Sequence, residues 1–194
     1  MSNRSSIYIL VEDKRHQSFI RGFLSRVGIG RREMIFAPIS QGRGSGKQSV
    51  LSQFPDQVRV CRRRNRYAST SMFVMLDADD LTVARCLRAL DDQLVNEGLE
   101  PVDRARDRIT RLVPRWSIET WLLYLSSSGN TESPLSEEKS CKNTKKPEQW
   151  DQMVPSALQT LYAWTRPAAK LPDNLLDSLR LGLQEIPRAL PERR

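Results

Sequence analysis

Met72-Phe73-Val74-Met75-Leu76-Asp77-Ala78-Asp79-Asp80 decides the fold of this chain. Five apolar residues in unbroken succession read as a short strand buried on both faces, which is the habit of a parallel sheet. Three aspartates follow at its carboxyl end. Upstream, Ile7-Tyr8-Ile9-Leu10-Val11 repeats the pattern, and Glu12-Asp13 stands where the aspartates stand in the later run.

Helical spacings fill the intervals. Phe19, Ile20, Phe23, Leu24 and Val27 recur at three and four and stop at Gly28 and Gly30. Residues 34–39 form a second strand candidate, and residues 48–60 have a weak helical pattern. Leu81, Ala84, Leu87, Leu90, Leu94 and Val95 mark an amphipathic helix that ends at Gly98. Residues 109–113 read as a fourth strand and residues 117–125 as a helix. This alternation predicts an α/β fold, a mostly parallel sheet with flanking helices, Rossmann-like in class. Residues 1–128 are expected to form that domain and 129–149 a polar loop or linker. Residues 150–194 are expected to form a small helical C-terminal extension, packed on the first domain or on a partner. Its helices are expected over residues 156–164, and from an N-cap at Asp173 through Leu175, Leu176, Leu179, Leu183 and Ile186. Residues 191–194 are expected to fray.

At 194 residues and 39% hydrophobic, the chain can bury a core and is not a disordered tail. No run approaches the ~20 apolar residues that span a bilayer, and the polar start leaves no room for a signal peptide. A cytoplasmic protein with no membrane association is expected. Cys61, Cys86 and Cys141 are too scattered for a disulfide framework, and with His16 as the single histidine they exclude a zinc finger. The net charge of +8, carried mainly by arginine, attracts polyanions, because phosphate binding releases counterions. The plain alternative is a solvated basic surface.

Ligands of open α/β sheets bind at the carboxyl ends of the strands. Carboxylates gathered there, Glu12, Asp77, Asp79 and their neighbours Asp13 and Asp80, repel one another unless their pKa values rise or a cation neutralises them. A hard divalent ion, Mg²⁺ or Mn²⁺, suits oxygen donors. The competing explanation has Asp79 or Asp80 capping the helix ahead of Leu81, which accounts for one aspartate and leaves Glu12 without a role. Glu119 follows the fourth strand and reaches the same sheet edge; alternatively Ser117 caps that helix and Glu119 favours its dipole. His16, one turn beyond Glu12, either faces the site or faces solvent. The segment Gln41-Gly42-Arg43-Gly44-Ser45-Gly46-Lys47 is one residue short of a Walker A loop and is followed by Gln48, so a P-loop is rejected. Lys47 and Arg43 remain candidates for backbone phosphate, together with Arg62, Arg63, Arg64, Arg115, Lys145 and Lys146.

In this order the motifs resemble the Toprim domain of topoisomerases, primases and nucleases of the overcoming-lysogenization-defect type. Val11-Glu12-Asp13 is similar to that family's V-E-G, with Asp13 in place of glycine. Asp77-Ala78-Asp79 matches its D-x-D, and Ser117-Ile118-Glu119 the S-x-E of those nucleases. Ile118-Glu119-Thr120-Trp121-Leu122-Leu123 resembles the I-E-A-W-L-L of small Toprim-like proteins. The resemblance spans about residues 5–125.

The resemblance implies a metal-dependent nuclease with Asp77, Asp79 and Glu119 as ligands and Asp80 and Ser117 beside them. Glu12 would be a ligand to a second ion or the general acid–base. It implies a later catalytic lysine, for which Lys142, Lys145 and Lys146 are candidates that spacing does not separate. His16 stands where those nucleases carry an aspartate, a departure that bears on the second ion. It further implies nucleic acid, DNA before RNA, and a separate ABC- or AAA-type ATPase partner in bacterial phage defence, with oligomerisation open. Trp150, Tyr162 and Trp164 would anchor that partner, or belong to the chain's own core. Two rivals stand beside this reading. One is a Toprim-fold module that binds nucleic acid or a partner without cutting. The other is a receiver-like signalling domain with Asp77 as phospho-acceptor, to whose late Lys-Pro the pair Lys146-Pro147 is similar.

Overall fold

The computed structural model describes residues 5–40, 46–66, 69–127, 137 and 141–190. Four strands, β1 (Ser6–Val11), β2 (Met34–Phe36), β3 (Thr70–Met75) and β4 (Ile109–Leu112), form one sheet in the order β2-β1-β3-β4. Every pairing is parallel. The helices are α1 (Lys14–Arg26), α2 (Gly46–Arg64), α3 (Val83–Asn96), α4 (Ile118–Ser126), α5 (Pro147–Trp164) and α6 (Asp177–Ala189). The expected α/β class holds: a parallel sheet flanked by helices, Rossmann-like.

Side chains alternate across each strand, so the two apolar runs feed two separate cores. Ile7, Ile9, Val11, Phe73, Met75 and Leu112 face α1, α4, α5 and α6. Tyr8, Leu10, Met72, Val74, Leu76 and Ile109 face α2 and α3. β2 is shorter than the run from Met34 to Ile39 suggested; Pro38 has no N–H for a ladder and the chain turns away after Phe36.

Two boundaries in the C-terminal part differ from expectation. Helix α5 starts at Pro147, nine residues before Ser156, and runs through Pro155. Pro147 opens the helix, where its missing N–H costs nothing, and Trp150 is buried against the core. Helix α6 begins at Asp177 rather than after Asp173. Leu175 and Leu176 are buried ahead of it in a turn that Leu175 closes by donating to the Pro172 carbonyl.

These helices finish the first domain's core instead of trailing from it. Helix α5 packs on α4 and α1, and α6 packs on β4. The Thr110 hydroxyl on β4 donates to the Glu185 carbonyl on α6 at 2.7 Å, and the Trp121 indole donates to Ser178 at 2.8 Å. Trp150 is therefore a core residue, with Tyr162 and Trp164 packed against that core. Among the described residues no helix is long and apolar enough to cross a membrane.

Helix α6 approaches most closely at Gly182, where an added Cβ would lie 2.8 Å from the Trp121 ring and 3.3 Å from Leu112. Alanine's higher helix propensity is outweighed by a clash with a buried indole. Gly182→Ala should therefore lower the unfolding free energy by about 1–3 kcal/mol in urea titrations.

Candidate functional site

The order β2-β1-β3-β4 reverses direction between β1 and β3, and ligands of such sheets bind in the crevice outside that switch point. Val11 pairs with Met75, which puts Glu12 beside Leu76 and Asp77. The Glu12 N–H donates to the Met75 carbonyl at 3.1 Å, and the Asp77 N–H donates to the Glu12 carboxylate at 3.1 Å. The two acids that end the apolar runs are thus tied to each other's strand. Burial pushes the Glu12 pKa up, the Asp77 and Asp79 charges push it further, and His16 and the Asp77 N–H only partly oppose them.

The turn after β3 is held from two sides. The Ala78 N–H donates to the Pro114 carbonyl. Asp79 adopts a left-handed backbone at φ 52, which costs on the order of 1 kcal/mol for a residue with a Cβ. Lys47 donates to its carboxylate at 2.7 Å and to the Ala78 carbonyl at 3.0 Å. Arg115 donates to the Asp79 and Leu81 carbonyls, both at 2.7 Å. Thr82, rather than Asp79 or Asp80, caps α3 by accepting from the Arg85 N–H. The capping explanation of those aspartates therefore fails, and Asp80 points to solvent as an exposed residue.

His16 is fully buried, which corrects the solvent-facing alternative. Asp13 caps α1 and accepts from the Arg15 and His16 N–H groups. Its carboxylate also lies 2.9 Å from His16 Nδ1, while His16 Nε2 lies 2.9 Å from Asp77. Both ring nitrogens face carboxylates, so both carry protons and the ring is an imidazolium. Burial opposes that charge, but Asp77 and Asp13 outweigh it and hold the pKa well above the ordinary 6.5. Burial likewise opposes ionisation of Asp13, yet the bonds and charge of His16 hold its pKa far below 3.8. His16 sits three and four residues before Phe19 and Ile20, so it extends the apolar stripe of α1 by one turn. That spacing was the available signal for an inward histidine.

Glu119 lies 2% exposed in the first turn of α4, paired with Arg15 through one oxygen. Its other oxygen is buried and without a hydrogen-bond partner among the described residues, as is the Ser117 hydroxyl. Ser117 stands at the N-cap position of α4 but makes no side-chain cap bond.

A cleft of about 1310 Å³ opens over this edge, lined by Glu12, Asp13, Lys14, Arg15, Gln17, Phe36, Lys47, Asp79 and Lys142 among others. Asp77 and Glu119 lie beneath its floor. Lys142 is the lysine brought to the site: burial works against its charge, but Asp77, Asp79, Glu119 and Glu12 hold its pKa above the ordinary range. Lys145 and Lys146 precede α5 and do not line the cleft. Arg62 to Arg64 lie at the far end of α2, about 24 Å along the helix from Gly46. Arg62 is bound there to both oxygens of Asp107. Arg43 lies outside the described residues.

The donors suit a hard divalent ion, and the orphaned Glu119 oxygen and Ser117 hydroxyl are the partners such an ion would lack elsewhere. As the side chains stand, no group of three or more His, Cys, Asp or Glu among the described residues is spaced to enclose one. His16, Arg15 and Lys47 already neutralise Asp77, Glu119 and Asp79. Compared with known proteins, the chain matches no family model, no curated protein and no solved structure.

The His16 clamp has a pH signature. A group whose pKa is higher folded than unfolded lends stability that is complete below about 6.5 and disappears as pH rises through the folded value. Measured in chelator, unfolding free energy should fall with rising pH above 6.5 more steeply in wild type than in His16→Gln. The variant should be less stable at pH 6 by roughly 3 kcal/mol, because Asp77 is left as an unpaired buried charge.

Proposed function

We propose that this chain is a Toprim-like, divalent-metal-dependent nuclease that cuts nucleic-acid phosphodiesters in the cleft over the β1–β3 switch point. The observation that carries the reading is that Glu12, Asp77, Asp79 and Glu119, from three strand ends, all act on Lys142 at a cleft that Lys14, Arg15 and Lys47 also line. The acids would hold a cation, and the basic side chains a phosphate. The DNA preference, the separate ATPase partner and the phage-defence setting rest on the resemblance of the motifs.

Asp79, which lines the cleft, would hold Mg²⁺ or Mn²⁺ together with Asp77 and Glu119. When bound, such an ion would supply Lewis-acid polarisation of a phosphate. Lys142 and Lys47 bind the phosphate oxygens. Glu12, its pKa raised by burial and the Asp77 charge, would take and return a proton. Asp13 and His16 fix the orientation of Asp77.

A second reading, a module that binds nucleic acid without cutting, is favoured by the protein's own cations on the acids. The receiver reading has less support. Asp77 is 2% exposed and bound to His16, and Lys146-Pro147 opens a helix instead of ending a strand.

Supercoiled plasmid, linear DNA and structured RNA, each with Mg²⁺, Mn²⁺ or chelator, separate these readings. Metal-dependent cleavage should appear, and Asp77→Ala and Glu119→Ala should abolish it. Absence of cleavage, with metal binding unchanged in both variants, removes the nuclease assignment; metal binding without cleavage supports the second reading. Glu12→Gln should cut more slowly by about 10²–10⁴. It should also melt at a higher temperature at pH 7 in chelator, because it removes a carboxylate whose ionisation burial opposes.

A further inference from the structure

Helix α1 carries Lys14, Gln17 and Arg21 at i, i+3 and i+7, one polar stripe about 10 Å long that begins at the carboxylate cluster. Lys14 and Gln17 line the main cleft with Phe36 of the edge strand β2. A second concavity of about 300 Å³ is lined by Arg21, Arg31, Met34 and the same Phe36. The two hollows adjoin at that ring and make one lane between α1 and the free edge of the sheet. Since Met34 pairs with Ile7, the lane runs from the level of Met34 to Glu12, about five strand residues or roughly 16 Å.

The lane's cations differ from the ion-paired arginines of the chain. Arg59, Arg62, Arg106, Arg111 and Arg188 are each bound to carboxylates. Lys14, Arg21 and Arg31 have no carboxylate partner among the described residues. Arg21 is instead held by an aromatic ring, its guanidinium carbon 4.8 Å from the Phe36 centroid. An arginine steadied by a ring keeps its charge and N–H fork for an external anion.

Building on the nuclease reading, we propose that this lane is the binding path for a single strand of nucleic acid. Phosphates lie on Lys14, Arg21 and Arg31, and an unpaired base stacks at the Arg21–Phe36 pair. At the 3.4 Å rise of a stacked strand, about four or five nucleotides fit from Arg31 to the acids. A ring among the cations selects an unpaired strand over a duplex, because paired bases offer no free face for stacking.

Fluorescence anisotropy of the full chain with labelled oligothymidylate and oligouridylate, and with a DNA duplex of equal length, tests this in chelator. One of the single strands should bind more tightly than the duplex. Arg21→Ala and Phe36→Leu should each weaken that binding about fivefold or more. Arg21→Ala should also make the salt dependence shallower by about one. Phe36→Leu keeps the apolar packing and removes only the ring, and Arg88→Ala on the exposed face of α3 should leave binding unchanged. The proposal is overturned if the duplex binds as tightly, or if the lane variants lose no more than Arg88→Ala. A chain that binds in this manner but never cuts retains the lane and loses the nuclease reading. A chain that cuts while its lane variants bind like wild type loses the lane alone.

Discussion

Val11 sits opposite Met75, and the rest of the site follows from that pairing. A one-residue slip would turn Asp77 away and exchange the two sets of β3 side chains between cores packed to different shapes. Both strands are buried on both faces, so slippage has nowhere to go. The register delivers Glu12 and Asp77 side by side, and the backbone N–H of one satisfies the carboxylate of the other. Such proximity of like charges is tolerated because helix α1 starts immediately after β1. Its first turn brings Asp13, Arg15 and His16 over the same edge.

The resulting electrostatics are those of a network already supplied with cations. His16, Arg15 and Lys47 each hold one acid, while Glu12 keeps its raised pKa. Low dielectric makes each pairing strong and makes the loss of any partner costly. Gly46 belongs to the same economy of space: a Cβ there would lie 2.6 Å from Glu12 Cγ and 2.8 Å from the Glu12 carbonyl oxygen. Only glycine lets α2 begin against the acid and carry Lys47 to Asp79.

Much of this was legible in the sequence. The runs at residues 7–11 and 72–76 are apolar without alternation, and only a parallel sheet buries both faces of a strand. The acids at their ends then had to share an edge. His16 was harder to read because a lone histidine beside Asp13 and Arg15 looks like surface, and only its continuity with the Phe19 stripe marks it as buried. The lysines after residue 140 could not be ranked, because their distance to the acids depends on a segment without periodicity. The start of α5 at Pro147 is not legible in a polar stretch; packing of Trp150 and Leu158 carries the helix through Pro155. The arginine run at residues 62–64 looked like a phosphate contact, yet the length of α2 takes it to the opposite end of the sheet.

Helix α6 contributes an entire side of the core to β4, a strand made about seventy residues earlier. During translation, at roughly 5–20 residues per second, β4 emerges several seconds before the helix that covers it. Throughout that interval Trp121 has no Ser178 to bond, and α4, which carries Glu119, packs against nothing on that side. The packing that holds α4, and with it the setting of Glu119, is therefore finished only once α6 has been made. A product truncated before residue 177 should be short-lived, because β4 and Trp121 lose the helix that covers them.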